Sequence, residues 1–412
     1  MRTIIATAIL CLALLLAALV FYILARRAGG ALWDAYRRRR RAVLGASLND
    51  WLASGTEQPP ALIARPRAFV DRDILMDLCL GLLPVARGSA AVRLRYWLRD
   101  SGMVSSWNRE LTSRNQWKRS RAAERLATAH PPESIESLIG ALEDPVFDVR
   151  MRAAKALGSV GGTRARRALV EALADSNRWS VIRIADLLAG MGPNVVTDLI
   201  AAYPGMGRDA RLAALELIAH VGDGNVTPFL VSQLDDLDRD IRARSAAALG
   251  RVGDSRGIGP LRQALQDAEW PVRAIAAKAI GMRQAVEATG DLADRLRDGK
   301  WWVRANAAGA LSLLGPPGID TLFAMLDDQD PFARDQALAA LESNGELQRR
   351  LQGVASTDPG RQAQARSLLD TLAARLPRTR LEALRDRQRD EQVRREIEAF
   401  LNRPSAPMEG VK

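Results

Sequence analysis

Cysteine is nearly missing from this chain. Cys11 and Cys79 are the only two, too few for a disulfide framework. Histidine is as scarce: His130 and His220 stand at unrelated places, so no histidine-based metal motif exists. No HExxH, no paired CxxC, no GxxxxGKS or GxxxxGKT and no strand-borne GxGxxG occurs, and the chemistries that need those spacings lose their support. Runs of β-branched residues alternating with polar ones are thin as well. These absences lead to an all-α chain, no enzyme, with no catalytic residues, no metal and no cofactor expected.

What is present is a cadence. Arginine returns at Arg119, Arg150, Arg211, Arg242, Arg273, Arg304 and Arg334, in steps of 31, 61, 31, 31, 31 and 30 residues. Each arginine opens an alanine-rich segment, such as DVRMRAAKALG at 148–158 or PVRAIAAKAIG at 271–281. Aspartate recurs five residues before the Val position that precedes the arginine, at Asp144, Asp175, Asp236, Asp267, Asp298 and Asp328. A small residue follows three places after it: Ala122, Ala153, Ala214, Ser245, Ala276, Ala307 and Ala337. Such self-similarity means stacked supersecondary units. The letters predict a leucine-bearing first helix, a short acidic turn and a second helix opened by the arginine. Asp148, Asp209 and Asp240 are expected to cap that helix. Aspartate and arginine at matched positions are expected to form a ladder between units, and the small residues to let helices approach closely. The unit near Val181 lacks the arginine and has Ile184 in the small-residue place.

The DxxxxVRxxAAxALG cadence over 115–345 resembles the HEAT-like repeats named after the phycobilisome lyases. The resemblance implies an α-solenoid of helical hairpins with a period of about 31 residues. It is weak on function, because such repeats serve lyases, DNA glycosylases and pure binding scaffolds alike. A lyase acting on a chromophore–protein conjugate is therefore one alternative, and a nucleic-acid-binding repeat protein another. The second needs a basic groove, yet residues 131–350 carry 26 Lys+Arg against 30 Asp+Glu. The formal charge of +11 comes mostly from residues 1–130, with 21 against 9. No nucleic acid is expected as a partner.

Ile4 to Ala25 carry no charge, and 22 residues at ~1.5 Å each match a ~30 Å hydrocarbon core. Residues 3–25 are expected to be an uncleaved transmembrane helix. Arg26, Arg27 and Arg37, Arg38, Arg39, Arg40 and Arg41 follow it, which predicts a single-pass inner (plasma) membrane protein, N-terminus outside and repeats in the cytoplasm. Beside Trp33 and Tyr36, the run Arg37–Arg41 is expected to lie near anionic membrane lipids. Residues 26–114 read as a basic juxtamembrane and helical cap-like region, with helices around Leu44–Leu52 and Ile74–Leu83. Residues 346–402 read as a worn repeat and a single charged helix over 379–402, whose Val393, Ile397, Phe400 and Leu401 form an apolar face. Residues 403–412 read as a loose tail.

The candidate site is aromatic. Trp117, Phe147, Trp179, Trp270, Trp301, Trp302 and Phe332 all fall one or two residues before the Val position, at the turn between paired helices. Units stack side by side, so these turns predict a stripe along one edge, and interface hot spots favour tryptophan. The reading is a membrane-anchored, cytoplasm-facing scaffold that binds protein partners through its repeats. By analogy with other anchored repeat proteins, it serves an envelope-biogenesis or polysaccharide-synthesis assembly.

Overall fold

The computed structural model describes residues 2–66, 68–175, 180–388 and 390–402, without the side chains of 2–15, 17, 18, 24 and 25. Among the described residues there are α-helices and short 3-10 turns and no strand. The chain divides into two compact units, 1–172 and 173–412.

In the first unit, helix α1 (Arg2–Ser54) meets α2 (Phe69–Leu82), followed by α3 (Ser89–Asp100) and α4 (Met103–Glu110). Leu44, Leu48 and Trp51 of α1 are buried with Ile74, Leu75 and Cys79 of α2. Beyond them, α5 (Gln116–Ala129) packs against α6 (Phe147–Val160).

In the second unit the long second helices lie side by side. These are α7 (Arg208–Val221), α8 (Arg239–Val252), α9 (Trp270–Met282), α10 (Trp301–Leu313) and α11 (Pro331–Ser343). Each carries leucine or isoleucine together with alanine at helical spacing, so one broad face is apolar. The small residue three past each arginine is fully buried at all seven positions, Ala122 through Ala337. Glycine goes further: a Cβ added to Gly281 would lie 2.7 Å from Ala310 Cα, and one added to Gly250 would lie 2.9 Å from Ala279 Cα. The backbones of α8, α9 and α10 therefore touch where only hydrogen stands between them.

Three expectations need correction. Among the described residues no helix is long and apolar enough to cross a membrane. This overturns the single-pass inner-membrane assignment and leaves the transmembrane helix of residues 3–25 unsupported. Helix α1 runs without a break from Arg2 to Ser54, and most side chains of that apolar run lie outside the described residues. Second, the N-cap positions stand two residues earlier than expected, at Val146, Gly207 and Asp238. Helix α8 is capped by Asp238, which accepts from Asp240 N–H, so Asp240 falls in the first turn, as do Asp148 and Asp209 in theirs. A carboxylate there still meets the positive helix end. Third, the single C-terminal helix is two, α13 (Arg378–Asp386) and α14 (Glu391–Leu401), which follow α12 (Pro359–Arg375). Asp390 caps α14 by accepting from Gln392 and Val393 N–H, and this new cap ends any continuous helix. Val393, Ile397, Phe400 and Leu401 are all buried, with α14 against α12. The tail 403–412 lies outside the described residues.

Candidate functional site

The turn edge of each unit is built by its arginine. Among the described residues, three repeats show the guanidinium gripping the next repeat's aspartate with two parallel hydrogen bonds. Arg119 donates to Asp144 at 2.6 and 3.0 Å, Arg242 to Asp267 at 2.8 and 3.0 Å, and Arg273 to Asp298 at 2.8 and 3.0 Å. The remaining NH1 donates back to its own turn, as from Arg273 to the carbonyls of Asp267 at 2.8 Å and Ala268 at 3.0 Å. Each aspartate also accepts from the backbone N–H two residues on, as Asp298 does from Lys300 at 2.9 Å. Planar, forked geometry of this kind suits arginine and not lysine. The expected ladder thus ties together the N-terminal turns of successive second helices.

The rungs are not all alike. Arg211 stands 3.6 Å from Asp236 and lies over the Tyr203 ring at 5.4 Å. The step from Arg304 to Arg334 is one residue short, so Gln329 occupies the place 25 residues after Arg304. Arg304 instead sits 4.9 Å above the Phe332 ring, and Asp328 is taken by Arg297. The step of 30 residues leaves Arg304 with a cation–π contact where Arg119, Arg242 and Arg273 have an ion pair.

Burial pushes the Asp298 carboxyl upward, but Arg273 and the Lys300 N–H outweigh it and hold it below the ordinary carboxylate range; Asp144 and Asp267 behave alike. A carboxylate depressed in the folded state stabilises fully above its unfolded value, near 3.9, and loses that contribution as pH falls through the folded value. Stability of the repeats is therefore expected to fall steeply below about pH 4, followed by amide exchange in α9 and α10. Unchanged protection between neutral pH and pH 3 would count against the ladder.

The turn edge holds the expected rings. Trp270, Trp301, Trp302 and Phe332 occupy the first turn of α9, α10 and α11 and are all exposed. Their direction follows from helix geometry. Val272, Val303 and Ala333 point into the core with no exposure, and residues one or two places earlier lie about 100° or 200° around the helix. Trp301 and Trp302 are 50% and 58% exposed and touch each other edge to face, with centroids 4.8 Å apart. The ladder holds the turns of α8, α9 and α10 together, so Trp270 and the Trp301–Trp302 pair stand in neighbouring units. Phe332 opens α11, which packs on α10. Trp117 and Phe147 are exposed on the first unit instead, at the starts of α5 and α6. Trp179 lies outside the described residues. Leu237, in the turn before α8, is entirely exposed. Its aliphatic side chain sets it apart from the aromatic pattern, although its place in the register is legible.

Of the five arginines beside Trp33 and Tyr36, Arg40 has a structural task. It donates to buried Asp71 through Nε at 2.9 Å, and the other four are exposed. Buried Cys79 has its thiol pushed up to about 12 by desolvation, which removes the thiolate a nucleophile needs. His130 closes α5 in the left-handed conformation, and His220 lies exposed in the last turn of α7. Among the described residues no group of three His, Cys, Asp or Glu is placed to hold a metal ion.

These features define an α-helical repeat protein whose exposed chemistry lies at its turns. Comparison with known families agrees: the HEAT repeats profile matches residues 107–189, 196–267 and 258–342, more than half of the 412 residues. The chain belongs to the HEAT repeat family. No curated protein matches it. Among solved structures it is similar to an engineered protein, at 19% identity over 82% of this chain and 96% of the other, with a TM-score of 0.27. It is also similar to the karyopherin Kap121p bound to the extreme C-terminus of the protein phosphatase Cdc14p, at 15% identity over 87% of this chain and 47% of the other, TM-score 0.46. The same karyopherin bound to Nup53p matches at 14% identity, 83% and 46% coverage and TM-score 0.44. The chain thus spans about half the length of the karyopherin structures it matches.

Proposed function

We propose that this chain is a scaffold that binds protein partners along the turn edge of its second unit, with Trp270, Trp301, Trp302 and Phe332 as the anchoring side chains. The observation that carries the reading is the Trp301–Trp302 pair. Two large adjacent rings at a helix start are half-exposed or more, and among the described residues their one ring contact is with each other. Leaving such area in water is unfavourable by about 25 cal/mol per Å², and tryptophan is the side chain most enriched where proteins grip one another. The family supports this, since a stack of helical hairpins offers extended surface and not an enclosed reaction chamber. Without a span to rest on, the analogy with anchored repeat proteins loses its premise. So does the anionic-lipid contact beside the span, and the proposal therefore stops at a protein partner.

The test is crosslinking of the full chain in its own cells, followed by mass spectrometry, with a Trp270→Ala/Trp301→Ala/Trp302→Ala variant alongside. Loss of about 2 kcal/mol or more of binding is expected on truncating hot-spot tryptophans, seen as disappearance of the specific crosslinked protein while helix content is kept. An unchanged set of crosslinked proteins would defeat the reading.

A further inference from the structure

The first unit carries a second surface of a different chemistry. Helices α1, α2, α4 and α5 enclose a groove of about 620 Å³ that lies wholly within that unit. Its floor is apolar and compliant: Met76, Met103 and Trp107 line it and are buried. Methionine adapts its shape to different apolar side chains. Two rings stand at its rim in water, Phe69 at 79% and Trp117 at 72% exposure. Neither is held by core packing, and the Trp117 backbone N–H donates to the Asn115 side chain at 2.9 Å.

The polar lining is predominantly cationic. Arg37, Arg72, Lys118 and Arg121 line the groove, are exposed and have no carboxylate partner among the described residues. Arg125 is neutralised by Glu110 at 3.7 Å. Besides Glu110, two further carboxylates of the lining, Asp73 and Asp77, interrupt the field. That interruption discriminates among anionic partners. A nucleic-acid backbone sets one phosphate after another and meets repulsion at both aspartates, and a bilayer presents a flat sheet of charge to a concave surface. A peptide carries its acidic groups at intervals, separates them with neutral residues and brings apolar side chains for the floor.

We infer that this groove is a docking site for an acidic protein segment carrying an aliphatic or aromatic side chain, which seats over Met76, Met103 and Trp107 between Phe69 and Trp117. Its carboxylates meet Arg37, Arg72, Lys118 and Arg121. The site is separate from the turn edge of the second unit.

The experiment uses the full chain and fluorescence anisotropy of labelled probes. These are a Glu/Ser peptide with one central Leu, the same peptide with Lys for Glu, and the same with Ala for Leu. A single-stranded oligouridylate and phosphatidylglycerol vesicles serve as competitors. The acidic Leu peptide is expected to bind about tenfold or more tightly than the Lys peptide, and more tightly than the Ala peptide. Arg72→Glu/Arg121→Glu is expected to weaken it by about tenfold or more, as is Trp117→Ala, with amide protection of α5 unchanged. Trp301→Ala/Trp302→Ala is expected to leave this binding intact, so the groove and the turn edge stand or fall separately. No binding of the acidic Leu peptide, equal binding of the Lys peptide, indifference to Arg72→Glu/Arg121→Glu, or stronger engagement of the oligouridylate or the vesicles would each overturn the inference.

Discussion

Arg273→Ala is expected to destabilise the neighbouring repeats by about 2–4 kcal/mol, because it strips a buried carboxylate of its bidentate partner and leaves it Arg295 at 3.8 Å. The Asp298 side chain is only 4% exposed, and Arg273 supplies both of its guanidinium hydrogen bonds. The same arginine ties down the carbonyls of Asp267 and Ala268, so its loss also frees the turn before α9. Replacing both partners, Arg273→Ala/Asp298→Ala, is expected to cost less than the two single changes added together, since the buried carboxylate goes with its bidentate partner. Arg334→Ala is the milder comparison, for its guanidinium donates to the carbonyls of Asp328 at 2.7 Å and Gln329 at 3.1 Å. Amide exchange of α9 and α10 is the suitable readout, because repeat arrays need not unfold in one step. An Arg273→Ala protein protected as well as the parent would show that the ladder is ornamental.

Gly281→Val should be at least as damaging, at about 3 kcal/mol or more from overpacking. The first added carbon meets Ala310 Cα at 2.7 Å and Ala310 Cβ at 2.8 Å, and backbone does not swing aside as a flexible side-chain end does. Only separation of α9 from α10 relieves the clash, and that opens the apolar face shared by Ala276, Ala277 and Ala307. Gly309 supplies the control. It also lies inside a helix, but an added Cβ there meets nothing within 4 Å. Gly309→Ala is expected to raise stability by about 0.5–1 kcal/mol through helix propensity alone. Thermal unfolding of the two variants with opposite signs would establish the close approach; a tolerated Gly281→Val would refute it.

The ladder and the ring stripe were readable because both sit at fixed offsets from one letter. Arg242 and Asp267 are 25 residues apart, as are Arg273 and Asp298, and that constancy marks them as partners in a repeating stack. Where the offset slips by one, at Gln329, pattern reading pairs Arg304 with nothing, whereas the structure supplies Phe332 from α11. The C-terminal segment failed for a different reason. Its charged letters continue helix propensity through 379–402, and only the packing of Leu384, Val393 and Ile397 selects the turn that Asp390 then caps. The apolar N-terminal run misled through length and composition, which alone do not establish a span.

Period, helical class and the place of the rings at the starts of α9, α10 and α11 were set by the sequence alone, since burial at a repeating position follows from helical geometry that these repeats share. Which glycine is indispensable, which arginine keeps a carboxylate and which aromatic rings overlook a cationic groove were decided by the tertiary structure. Those properties belong to pairs of residues distant in the chain. Gly281 and Gly309 are both helix-interior glycines to a reader of letters, and differ only because Ala310 presses against one of them and open space lies beside the other.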